Sequence, residues 1–172
     1  RKMMKNTIKV FVLVALTLAA MSVSAQVKLG HIETQKLIQA MPEWTAAQKT
    51  FEEEQKKVNT ELNSLREQFQ TKLAEYSEKM KTYSEAMRAT TEEELQGLQQ
   101  RIQRFQETAM AQLEKTQNDL MQPVMEKALN AIKEVGKENG FTYIFDMNAG
   151  ILYAAENSQD VLPLVKKKLG LQ

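Results

Sequence analysis

SEAMRATTEEEL, residues 84–95, sits inside a stretch that otherwise reads as helix for almost a hundred residues. How the chain passes through it decides the fold: one continuous rod, or two helices folded back on each other. No glycine, proline or asparagine lies within it. Thr91-Glu92-Glu93-Glu94, however, has the form of a capping box, in which the Thr hydroxyl and the Glu94 carboxylate satisfy free backbone N–H groups at a helix start. Three glutamates also suit the positive end of a helix dipole. This predicts a second helix beginning at Thr90-Thr91, with the pivot at residue 91 and a tip near 88–94.

Periodicity on either side supports a hairpin. Between Pro42 and Glu138 the only glycines and prolines are Gly97, Pro123 and Gly136, in a run where strong helix formers dominate. Before the pivot the apolar positions are Val58, Leu62, Leu65, Phe69, Leu73, Tyr76, Met80, Tyr83 and Met87. After it they are Leu95, Leu98, Ile102, Phe105, Ala109, Leu113, Leu120 and Val124. Steps of three and four mark a coiled-coil seam. Each half holds one pair of consecutive four-residue steps, at 65–69–73 and 109–113–117, a stutter that locally unwinds a supercoil. Folded about residue 91, facing seam positions have numbers totalling 181 or 182, and the stutters oppose each other. Arms of about 45 residues would reach roughly 65–70 Å.

The flanks differ in character. VKLGHI (27–32) alternates loosely like a strand, and TQKLIQAMPEW opens helix, with Pro42 tolerated in a first turn. Asn139-Gly140 is a helix stop. FTYIFD (141–146), the turn MNAG (147–150) and ILYAA (151–155) predict a β-hairpin. Asn157-Ser158 offers a cap to a last short helix, whose start Pro163 delays. Short strands leave open edges, and Phe141, Tyr143, Phe145, Ile151, Leu152 and Tyr153 give the sheet more apolar surface than one copy would cover. All but Leu152 are the candidates for self-association.

Residues 1–25 read as a secretion signal. Lys5 and Lys9 give the positive start, Val10–Met21 the apolar run, and Val23-Ser24-Ala25 the small-residue cleavage site, with translation starting at Met3 or Met4. The run is short for a bilayer span of about 20 residues; an uncleaved signal anchor is the competing reading. The whole chain has 23 basic and 22 acidic residues, but four bases and no acid fall before residue 26, so the remainder carries −3. There is no cysteine, hence no disulfide and no thiol chemistry.

Catalytic and cofactor motifs are missing from the pattern. His31 is the only histidine, and His31-Ile32-Glu33 has no further ligand to complete a metal or acid–base site. The expectation is no enzyme, no metal and no cofactor. Lys166-Lys167-Lys168 suits a helix C-terminus, and a net −3 outside the cytoplasm argues against nucleic acid. What remains is surface. Met110, Met121 and Met125 lie off the seam at spacings that keep them on one helical side, and methionine adapts to many shapes. They are the candidate contacts for a bound protein; for Met121 and Met125, packing against the base is the competing assignment.

The order of signal, strand, short helix, long helical hairpin and closing strands, with HIETQKLIQAMPE and FTYIFDMNAGILYA at the junctions, resembles the Skp/OmpH family of periplasmic chaperones. The resemblance covers residues 26–172 and implies an α+β fold: a long antiparallel coiled-coil hairpin on a small β-sheet body that trimerises. It assigns 26–45 and 137–172 to the body and 46–136 to the arm. It further implies an ATP-independent holdase whose homotrimer encloses unfolded outer-membrane β-barrel proteins. One departure is charge. Familiar members are strongly basic, whereas residues 70–110 here hold six bases and seven acids, so no lipopolysaccharide site is carried over. A structural coiled-coil adaptor or spacer of the cell envelope is the alternative function.

Overall fold

The computed structural model describes residues 27–155 and 157–171; the expected signal and its cleavage site lie outside them. Seven elements follow in order: β1 (Leu29–Ile32), α1 (Thr34–Gln39), α2 (Pro42–Lys79), α3 (Glu85–Glu138), β2 (Tyr143–Asp146), β3 (Gln159–Asp160) and α4 (Leu162–Lys168). The fold is α+β, a long antiparallel helical hairpin rising from a small three-stranded sheet. At about 1.5 Å per residue, the 38 residues of α2 and 54 of α3 run roughly 57 and 81 Å.

The hairpin turns earlier than the sequence predicts. α2 ends at Lys79, and Ser84 caps α3 by accepting a hydrogen bond from the Met87 N–H at 3.3 Å. Glu85 then occupies the first turn, where the dipole favours an acid. Thr91 is helix interior, its hydroxyl donating to the Met87 carbonyl at 2.8 Å. Glu94 and Glu92, expected to complete a cap and its dipole, instead take Lys72 and Tyr76 of α2 as partners. Tyr83 of the turn packs its ring 6.3 Å from that of Tyr76. The pivot at residue 91 and the tip at 88–94 are therefore corrected to a turn over residues 80–84.

The facing register moves with the turn. Partner numbers total 166 for Lys72–Glu94, 168 for Tyr76–Glu92 and 170 for Glu43–Lys127. These differ from 182 by 12 to 16, bracketing the 14 residues of two heptads. A slip of whole heptads returns seam to seam, so the predicted seam survives. Leu65, Leu95, Ala109 and Val124 are buried, and Val58, Leu62, Phe69, Leu98, Ile102, Phe105, Leu113 and Leu120 are half-buried. Met80 and Met87, placed in the seam, are exposed at the tip. The two stutters do not face each other in this register.

Where the arm ends, a compact base begins. Ile32, Leu37, Ile38 and Met41 pack with Val124, Ala128, Ala131 and Val135 of α3 and with Val161 and Val165. α3 closes with Asn139 as cap and Gly140 at φ +69°. Phe141 N–H donates to the Gly136 carbonyl at 2.9 Å and Gly140 N–H to Lys137 at 3.3 Å, a Schellman closure. Lys28 reinforces it, donating to the Asn139 carbonyl at 2.8 Å with its ammonium 4.2 Å from the centre of the Phe141 ring.

The sheet overturns the predicted β-hairpin. Its order is β2-β1-β3, and β1 pairs with both neighbours in parallel. Residues 151–155 form no strand. The chain leaves β1, climbs and descends the helical hairpin, and re-enters the sheet as β2 in the same direction, as a crossover connection permits. Parallel pairing also ties the strands to the helices: the Asp146 carboxylate accepts from Thr34 N–H at 3.3 Å, supplying α1 with a cap that Glu33 does not give. Likewise Val161 is the N-cap position of α4, and the carboxylate of Asp160 just before it, not Asn157-Ser158, accepts from Leu162 N–H at 2.8 Å. Pro163 stands in its first turn. Ser158 engages the Nδ1 of His31 at 2.8 Å instead.

Candidate functional site

The three strands present two unlike faces. Gly30 and Ile32 of β1 turn inward, while Leu29 and His31 alternate with them and turn outward. In register, Leu29 sits beside Tyr143 and His31 beside Phe145, so these four share the outer face. Tyr143 and Phe145 stack with centroids 6.1 Å apart. Leu29, Tyr143 and Phe145 are all exposed, with Val27 just before the strand. All-parallel sheets normally have both faces covered; here the inner face has the helices and the outer one has water. The irregular 151–155 segment adds Leu152 at 99% exposure and Tyr153 at 80%.

Of the five self-association candidates, Tyr143, Phe145 and Tyr153 are exposed. Ile151 is half-buried. Phe141 packs against the base core beneath Lys28. Sequence reasoning passed over Val27 and Leu29, although both were legible as the outward half of an i, i+2 alternation in VKLGHI. Leu152 counts in the apolar excess of a predicted strand, and it is exposed in a segment that forms none.

On the arm, Met110 stands 73% exposed, Met125 is exposed to a lesser degree, and Met121 is half-buried. All three follow one side of α3, with Met110 farthest from the base. Polar bridges lace the two helices together near the tip. The Glu94 carboxylate holds the Lys72 ammonium above its ordinary range, chiefly through their hydrogen bond, and the bond to Glu92 raises Tyr76 similarly. Both pairs are open to water, where such contacts add little stability; they mark the register without fixing it. At the base, Lys127 reaches Glu43, and Lys168 of α4 joins Glu134 at 3.1 Å and Glu138 at 2.5 Å. Among the described residues no helix is long and apolar enough to cross a membrane.

A helical hairpin with a half-buried seam, set on a sheet with one uncovered apolar face, is a distinctive combination. The family model for OmpH-like outer membrane proteins matches residues 28–169. The chain belongs to the OmpH-like family. Its architecture is similar to the crystal structure of a candidate OmpH-like outer membrane chaperone from Caulobacter crescentus CB15. That likeness has a TM-score of 0.73 at 16% identity and covers 82% of each chain. At this identity the likeness speaks to the fold. No curated protein matches the sequence significantly. The OmpH-like match takes in the base at both ends and the whole arm, so the family and the fold agree over the same residues.

Proposed function

We propose that this chain is an ATP-independent holdase of the periplasm, which as a homotrimer surrounds unfolded outer-membrane β-barrel proteins with its arms. The observation that carries this is the uncovered apolar face of the parallel sheet at the foot of a long arm. Copies that cover one another's Leu29, Tyr143 and Phe145 would share a base and leave their arms projecting around a common space. The arm suits weak, repeated contact, because its apolar seam is narrow and Met110 and Met125 add adaptable surface outside it. Near-neutral arms make apolar contact the main source of capture, and give no reason to include lipopolysaccharide or nucleic acid among the partners.

Diluting an unfolded outer-membrane β-barrel protein into buffer, with and without this protein, and following light scattering tests the reading. Suppressed scattering is expected; no suppression would leave the envelope-spacer reading. Replacing Met110, Met121 and Met125 together with Ser is expected to weaken protection several-fold with helicity unchanged, since each change removes apolar contact area worth about 25 cal/mol per Å². For the assembly, Tyr143→Asp on the outer face with Tyr153→Asp in the exposed 151–155 segment adds charge to the proposed contact, and sedimentation is expected to show monomers. An unchanged oligomer would move the assembly contact to the arms.

A further inference from the structure

The hairpin carries grooves of different chemistry. One near the tip is lined by Glu67, Lys72, Glu75, Glu94 and Arg101 among others, and another on α2 alone by Glu53, Lys56, Lys57 and Glu61. An apolar chain lying there would have to desolvate several charged groups. Midway along the arm the chemistry changes. A cavity of about 720 Å³ opens between α2 and α3, with a floor of Val58, Leu62, Phe105 and Ala109. Ala109 places a methyl where every other seam position named above holds a larger side chain, and the hollow lies over that small side chain. The rim is Asn59 on one helix and Gln103, Gln106 and the exposed Met110 on the other, with Glu107 its single charge.

We infer that this groove seats a short, uncharged, extended segment of an unfolded β-barrel protein, with alternate apolar side chains on the Val58–Leu62–Phe105–Ala109 floor. The inference rests on the holdase reading above and names where on the arm a bound chain sits. Three side-chain amides form the rim, and each offers both a donor and an acceptor. An extended peptide presents the same pair at every residue, unpaired until it joins a sheet. The near-absence of charge on the rim matches an uncharged segment, and disfavours a charged loop, which would lose hydration for no partner. Length agrees. From Gln103 to Leu113 α3 advances about 15 Å, the reach of four or five extended residues at about 3.3 Å each. Barrel strands alternate apolar and polar residues, so such a segment would turn one set to the floor and the other to water. Met110 would close over it as a flexible flap.

The test combines Asn59→Asp, Gln103→Glu and Gln106→Glu, near-isosteric changes at two exposed positions and one half-buried one, which remove the side-chain N–H donors and add three negative charges. The protein concentration that holds an unfolded outer-membrane β-barrel protein in the scattering assay is expected to rise about tenfold, the loss of one or two net hydrogen bonds, with helicity and oligomer mass unchanged. Gln48→Glu, Gln55→Glu and Gln99→Glu together add the same charge at exposed positions outside the groove and are expected to behave as wild type. Equal holding by the rim variant, or equal loss in the control, overturns the groove while leaving the holdase reading intact. Failure of the wild-type protein to hold the client overturns both. A photoreactive p-benzoylphenylalanine at position 110, on an otherwise unaltered arm, gives a second measurement should the rim variant misfold. Crosslinks are expected in uncharged strand segments of the client, and crosslinks spread over its charged loops would overturn the assignment.

Discussion

The base and the arm of this molecule are held by different means. In the base, Leu37, Ala128, Val161 and Val165 have no exposure at all, and residues far apart in sequence meet in one cluster. Along the arm only Leu65 approaches that degree of burial, and most seam residues stay half open to water. The helices there are joined by a single line of contacts and a few exposed polar bridges. A two-helix seam buries one stripe per helix, whereas the base surrounds its side chains with three helices and a sheet. Stability is therefore concentrated at one end, and the other end is free to yield locally without unfolding the whole.

The sharpest way to break this contrast is to make the same truncation at both ends. Leu37→Ala is expected to cost about 2–5 kcal/mol, since the buried site loses both transfer energy and packing. Leu73→Ala, at a seam position that is 42% exposed, is expected to cost about 1 kcal/mol at most. Denaturant titration of the two variants measures both. Equal costs would mean that the arm is as tightly bound as the base.

A glycine-to-alanine pair should change sign between the two regions. A Cβ on Gly30 would lie 2.8 Å from Phe141 Cε1 and 3.0 Å from Val161 Cγ1, so Gly30→Ala is expected to destabilise by about 1–3 kcal/mol through overpacking. A Cβ on Gly97 meets nothing within 4 Å. There, in a helix interior, Gly97→Ala is expected to stabilise by roughly 0.5–1 kcal/mol. Thermal melts of both variants read the signs directly, and a destabilised Gly97→Ala would reveal a close approach on the arm.

The smallest effect lies at the junction of the two regions. The hydrogen bond from Lys127 holds the Glu43 carboxyl below its ordinary value of 4.5. Its stabilising contribution is present above that value and is lost as pH falls through the lower, folded-state value. Both partners are more than a third exposed, so water screens the pair and the contribution stays below about 1 kcal/mol. Glu43→Gln is expected to remove this small part of the acid-side decline in denaturation curves taken from pH 6 to pH 3, with little change in the rest of the profile.

Local chemistry was enough to read much of this protein. The three- and four-residue spacing picks out which side of each helix is apolar, because that depends only on the pitch of the helix. Asn139-Gly140 marks the end of α3, because the left-handed turn at Gly140 is a property of the residue itself. Tyr143 and Phe145 were already recognisable as apolar residues in excess of what one sheet could cover. Tertiary structure decided the rest. A heptad pattern repeats every seven residues, so the seam alone accepts any whole-heptad slip; the turn capped by Ser84 goes with one register, which the Lys72–Glu94 and Tyr76–Glu92 bridges mark. Two β-forming runs joined by MNAG suggest a hairpin locally, yet β1, more than a hundred residues earlier, offers both its edges to parallel partners and takes β2 and β3. The mid-arm groove was equally hidden, since Ala109 becomes a hollow only once α2 and α3 meet in their actual register.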